Sequence, residues 1–200
     1  MTSELNKEIY GVLPNRPLHL SVKPLTENSA FMASKATITE LEMELDFGDK
    51  TAKMPFISAI PKSALPCPAI IIIGSMEDFN RYADEWISKG YAIFFVNYKD
   101  VSENNSDFKS GISAFISPSR RKKSSAGKIA VWAWAALRVL EYAEVLDIID
   151  KRKIGIAGRG IFAHSAMLNS DKFSFIIAEE LPEINKIFLE ENPHLFARGY

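Results

Sequence analysis

Cysteine is nearly missing from this sequence: Cys67 stands alone among 200 residues. One thiol cannot form an internal disulfide, which excludes the small disulfide-stapled folds. Histidine is scarce, with His19, His164 and His194 as the candidate general bases. No pair of His, Cys, Asp or Glu has metal-ligand spacing, so neither a metal nor a cofactor is expected. A surplus of one charge is missing too. The net charge of −1 gives no electrostatic case for nucleic acid or for an anionic membrane. The longest apolar runs, 70–73 and 129–137, fall well short of the roughly 20 residues of a membrane span. No cationic, apolar-cored leader opens the sequence, and with the lone thiol this sets a cytoplasmic location as the expectation. There is no internal repeat and no low-complexity tract.

The hydrophobic fraction of 47% and charged fraction of 24% are those of a soluble globular domain, and the length suits one core. Residues 1–34 are rich in Pro, Asn and Ser, and Pro14, Pro17 and Pro24 block regular helix. They read as an extended arm on a single domain spanning 35–200. In 35–47, Leu41, Met43, Leu45 and Phe47 alternate with polar residues, as in a half-buried strand. After the turn at Gly48-Asp49, 54–60 returns as its hairpin partner. Residues 69–74 form a β-branched run apolar on both faces, which belongs in the middle of a covered sheet. A short helix over 82–89, ended by Gly90, leads to a second buried strand at 91–97. Strand, helix, strand is a right-handed βαβ unit.

Residues 100–125 are polar and irregular and end in the run Arg120-Arg121-Lys122-Lys123. That run reads as a solvated loop, with an anion site as the alternative. The strongest helix is 128–149. Its polar residues Arg138, Glu141 and Glu144 form one narrow stripe on an apolar cylinder, so most of it must be buried. Arg138 and Glu141 can pair at i, i+3. Trp132 and Trp134 read as packing residues. A strand at 153–157, a helix at about 160–168, a strand at 173–178 and a helix at 182–191 complete the chain.

The junction after 153–157 is the most informative point. An apolar strand runs into Gly158-Arg159-Gly160 and then a helix. A nucleophile elbow places serine at this turn in the pattern G-x-S; here Gly160 stands there and offers no oxygen. The glycines also suggest a phosphate loop, but the spacing departs from G-x-G-x-x-G. Ser165, beside His164, would lie nearly two turns into the helix, where nothing presents its hydroxyl. His194 reads as a surface residue at a helix end. Glu179-Glu180 occupies an acid-like position after the last strand, although a solvated strand end explains it as well.

Several segments together resemble the bacterial α/β-hydrolases related to glucuronoyl esterases and acetyl xylan esterases. They are 10–17 (YGVLPNRP), 86–92 (WISKGYA) with Asn97-Tyr98 and Asp100-Val101, 107–111 (DFKSG), 130–140 (AVWAWAALRVL), 153–158 and 192–196 (NPHLF). The resemblance implies a three-layer α/β sandwich, with a mostly parallel sheet of about six strands in the order 1-2-4-3-5-6. It also implies an elbow of the form G-x-S-R-x-G, with a serine nucleophile and an arginine that helps hold the oxyanion. The corresponding residues here are Gly160 and Ile161, and Ala163 replaces the final glycine. The loop 74–78 lacks the glycine- and asparagine-rich character of the family. The sequence is expected to stop short of the last two strands and the catalytic histidine.

The expectation is therefore a non-catalytic hydrolase-fold protein, with a small ligand or protein partner held in a vestigial cleft rimmed by Ser75, Met76, Arg159 and Gly160. The alternative is an active carboxyl-ester hydrolase with a displaced nucleophile, Ser165 or Ser75. If no helix covers it, the last strand would leave an apolar sheet edge open to a second copy or a partner chain.

Overall fold

The computed structural model describes residues 7–63, 65–118, 120–179, 191 and 193–196. Seven strands form one sheet: β1 (His19–Ala30), β2 (Ala36–Asp46), β3 (Thr51–Pro61), β4 (Cys67–Gly74), β5 (Ala92–Asn97), β6 (Ile149–Arg159) and β7 (Phe175–Glu179). Their spatial order is β1-β2-β3-β5-β4-β6-β7. β5, β4, β6 and β7 are mutually parallel, while β1, β2 and β3 are antiparallel to their neighbours. The six expected strands stand in the order the resemblance implies.

The seventh strand is a correction. Residues 19–30 of the expected arm are β1, paired along β2 from His19↔Asp46 to Asn28↔Ile38, with a register shift between Pro24 and Thr26. Proline is tolerated there because an edge strand needs hydrogen bonds on one side only. Pro55 in β3 is accommodated in the same way, because β3 pairs with β5 only from Ile57 to Ala59.

Among the described residues, three helices longer than one turn complete the layers: α1 (Met76–Ser88), α2 (Lys128–Val145) and α3 (Gly160–Leu168). Among the described residues, no helix is long and apolar enough to cross a membrane. The side chains of β4 alternate between the two faces of the sheet. Ile70 and Ile72 pack under α1 with Phe79, Tyr82 and Ile87. Ile71 and Ile73 pack under α2 and α3 with Trp132, Val139 and Ala163. All four isoleucines are completely buried, and each contributes roughly 1.5–3 kcal/mol of hydrophobic stabilisation.

α1 begins six residues earlier than its apolar pattern suggests, because Ser75 and Asp78 form a reciprocal capping box. α2 ends at Val145, four residues early, and β6 starts already at Ile149. Fourteen of the 18 residues of α2 are buried, including Lys128 and Arg138. Arg138 Nη2 donates to Glu141 Oε1 at 2.9 Å, the pair expected from their spacing. β7 ends the sheet; of the helix expected at 182–191, residues 182–190 lie outside the described residues.

Candidate functional site

The carboxyl ends of the parallel strands are where open α/β sheets bind ligands. At that edge β4 and β6 are neighbours, and Ile73 lies opposite Gly158. β6 passes into α3 with no intervening residue, Arg159 ending the strand and Gly160 opening the helix. Gly158 has φ +150°, and a Cβ on it would stand 2.5 Å from the Ile73 carbonyl oxygen. Both the backbone angle and the close approach require glycine there.

Ser75 and Met76 follow β4 on the adjacent strand end, so all four rim positions share this edge. Their chemistry differs from the expectation. The Ser75 hydroxyl donates to Asp78 Oδ2 at 2.8 Å and accepts from Asp78 N at 3.3 Å. It is engaged in starting a helix. Met76, 44% exposed, lines a cleft of about 170 Å3 with Phe95, Asn97, Asp100, Glu40 and Pro55. Burial raises the Asp100 carboxyl above its ordinary range, opposed by a hydrogen bond from Asn97. This cleft lies to the β5 and β3 side of the elbow, with an apolar floor and two carboxylates.

Ser165 is completely buried on α3, and its Oγ has no hydrogen-bond partner among the described residues. Such a hydroxyl can meet no substrate. The side chains of Arg159, Ile161, His164 and Glu179, and the whole of Glu180, lie outside the described residues. His19 is on β1, five strand steps from β6, or about 24 Å at the usual spacing. His194 sits in a 3-10 turn (Pro193–Leu195) and is half-buried. Its Nε2 lies 2.8 Å from Asn104 Oδ1. Burial, and then the charge of Lys128, lower its pKa.

The same edge holds a polar cluster that the sequence did not announce. Lys128, Ser102 and Ser113 are all completely buried. Lys128 Nζ donates to Ser102 Oγ at 2.6 Å and to the Asp107 carbonyl. Ser102 Oγ donates to Ser113 Oγ at 2.8 Å, which donates to the Ser110 carbonyl at 2.7 Å. Burial drives the Lys128 pKa down to about 8, against the attraction of Asp107. Trp132 Nε1 donates to the carbonyls of Tyr98 and Ser102 at 3.1 and 2.9 Å. Both Trp132 and Trp134 are core residues, as expected. The signal that could have revealed the cluster is a lysine at the first position of a helix whose next nine residues are all apolar. Among the described residues no three His, Cys, Asp or Glu side chains converge as metal ligands.

Solved structures with the same fold include three glucuronoyl esterases. The enzyme from Solibacter usitatus is 22% identical, with a TM-score of 0.83, over 100% of this chain and 64% of its own. That from Teredinibacter turnerae is 20% identical, with a TM-score of 0.72, over 87% and 48%. The catalytic domain from Hypocrea jecorina is 22% identical, with a TM-score of 0.59, over 86% and 44%. The chain thus spans less than two thirds of the length of each. No curated protein matches it. The family model described as glucuronyl esterase, fungi, matches residues 43–177, more than half of the sequence, and the chain belongs to that family.

Proposed function

We propose that this chain is a non-catalytic member of the glucuronyl esterase family, which holds a small ligand or a protein partner at the carboxyl edge of its sheet. What supports this reading is the strand-to-helix junction, where Gly160 opens the helix and, on the elbow pattern G-x-S, takes the place of the attacking hydroxyl. The two nearby serines offer no substitute, Ser75 being tied into a helix cap and Ser165 sealed in the core. Loss of a triad nucleophile costs on the order of a millionfold in rate. The cleft at Met76, Asn97 and Asp100 suits a small ligand with an apolar body and a hydrogen-bond donor facing Asp100 or Glu40. A protein partner, or a second copy, would pair along β7, the last strand of the sheet.

The test is turnover of a chromogenic acyl ester, together with labelling by a fluorophosphonate and intact-mass analysis. Background turnover and an unlabelled chain are the expected results. An acyl or phosphonyl adduct on any side chain overturns the reading.

Family membership favours a second reading, a carboxyl-ester hydrolase with a displaced nucleophile. Ester turnover abolished by Ser165→Ala would establish it. For the partner, a monomer by light scattering with fast amide exchange along β7 counts against pairing.

A further inference from the structure

Four cations line one cleft, and none of its described lining residues is Asp or Glu. The cleft, about 520 Å3, lies between residues 12–15, the turn joining β2 to β3, and the stretch that leads into α2. Lys50, Arg120, Arg121 and Lys122 face it, with Ser117 and Ser124 between them. The whole chain carries a net charge of −1, so this concentration of charge is local. A merely solvated basic loop would spread its side chains into bulk water, where like charges repel least. Here they share one concavity.

The frame beneath them is pinned. Val12 N donates to the Ser124 carbonyl at 2.9 Å, and Gly127 N to that of Tyr10 at 2.8 Å. Gly11 has φ +86°, and a Cβ there would stand 2.5 Å from the Ser125 carbonyl oxygen, so the two segments meet at glycine's limit. Lys122 N donates to Ser125 Oγ at 2.8 Å. Arg121 Nη2 donates to the Ala126 carbonyl at 2.8 Å, and its guanidinium lies 3.6 Å from the Phe108 ring centroid. Lys50 Nζ donates to the Phe115 carbonyl at 2.5 Å. Two cations are thus fixed in the wall. Arg120 and Lys122 are exposed and form no ion pair among the described residues, so they can close on a ligand. A second cleft of about 350 Å3 continues the first through Asn15, Lys50, Phe115 and Ile116, and adds Arg16 and Asp49.

We infer that this cleft binds a ligand carrying several oxyanion groups, whether phosphate, sulfate or carboxylate. The preformed frame lowers the ordering cost of binding, and four cations on two separate segments favour a multivalent anion over a single ion. The site is independent of the carboxyl-edge cleft and of whether the chain is catalytic.

Inorganic tripolyphosphate is the probe, followed by calorimetry at low ionic strength and by amide chemical-shift mapping. One saturable site is expected, with shifts concentrated at residues 12–15 and 115–126 and affinity falling steeply with salt. Reversing both free cations, Arg120→Glu with Lys122→Glu, should weaken binding by about tenfold or more, since two attractions become repulsions. The control Lys151→Glu with Lys153→Glu changes net charge equally at the start of β6 and should weaken binding by less than about twofold. Absence of saturable binding, shifts centred elsewhere, or equal weakening by both double variants overturns the inference. If the reversed variant loses its fold by circular dichroism, Arg120→Gln with Lys122→Gln takes its place, and unchanged affinity in that variant is equally fatal.

Discussion

The ring of Phe175 on β7 lies directly over Gly155 on β6, its partner in the parallel register; a Cβ on Gly155 would stand 2.1 Å from the ring's Cε2. The ring fills the space that the missing side chain leaves, and it meets Tyr91 edge-on at 6.2 Å. Gly155→Ala should destabilise the fold by about 1–3 kcal/mol through overpacking. Phe175→Leu in the same chain should recover part of that loss. Gly158→Ala should not respond to any such partner, because its obstacle is the Ile73 backbone and its own φ of +150°. Urea denaturation of Gly155→Ala and Gly158→Ala, each with and without Phe175→Leu, checks this.

Lys128 is the group whose protonation should be felt in stability. Its folded pKa of about 8 lies below its ordinary 10.5, because burial disfavours the cation. Between these values the unfolded chain holds the proton more tightly, so stability contributed by this site rises with pH from about 8 towards 10.5. Cys67, Tyr10 and Tyr142 act in the opposite direction from about pH 9 upward, since burial keeps them protonated in the folded chain. The difference between wild type and Lys128→Met isolates the lysine. That difference, from denaturation at pH 7.5 and 9, should shift in favour of the wild type at the higher pH. A pH-independent difference would refute the assignment.

Ser165→Ala separates two accounts of one hydroxyl. A sealed Oγ without a partner among the described residues carries an uncompensated desolvation cost, so its removal should leave stability unchanged or raise it by about 1 kcal/mol. No change in ester turnover should accompany it. Thermal melting and the chromogenic assay, run on the same preparation, read both.

Trp132→Phe should loosen the stretch between β5 and α2 while leaving the core filled. The indole N–H holds the carbonyls of Tyr98 and Ser102, and its loss should cost about 1–3 kcal/mol. Limited proteolysis should then cut between 102 and 126 faster than in wild type. Cleavage elsewhere, or none, would argue that other contacts hold this stretch.

The sheet was legible because its centre is written in runs that no helix face could use, such as Ile70–Ile73 and Phe94–Val96. β1 was not, because hardly any of its side chains reaches the core. Only Leu20 and Val22 pack against the core, an alternation two apolar residues long, and Pro24 argues the wrong way. The early start of α1 was readable in Ser75-Met-Glu-Asp78, a capping box whose serine starts a helix and does not line a cleft. At the elbow, the residue types could be read but the surrounding chemistry could not. That Ser165 points inward, and that Lys128 threads two buried serines, depends on how distant segments meet.

Helix α2 has almost no face that tolerates water: 14 of its 18 residues are interior. During synthesis it leaves the ribosome before β6 and α3, which roof part of it, have been made. For those seconds the nascent chain displays an apolar rod of five turns, the kind of surface that chaperones grip and that aggregates recruit. How well this protein is produced in a cell should therefore depend less on the finished molecule's stability than on how promptly residues 149–168 follow.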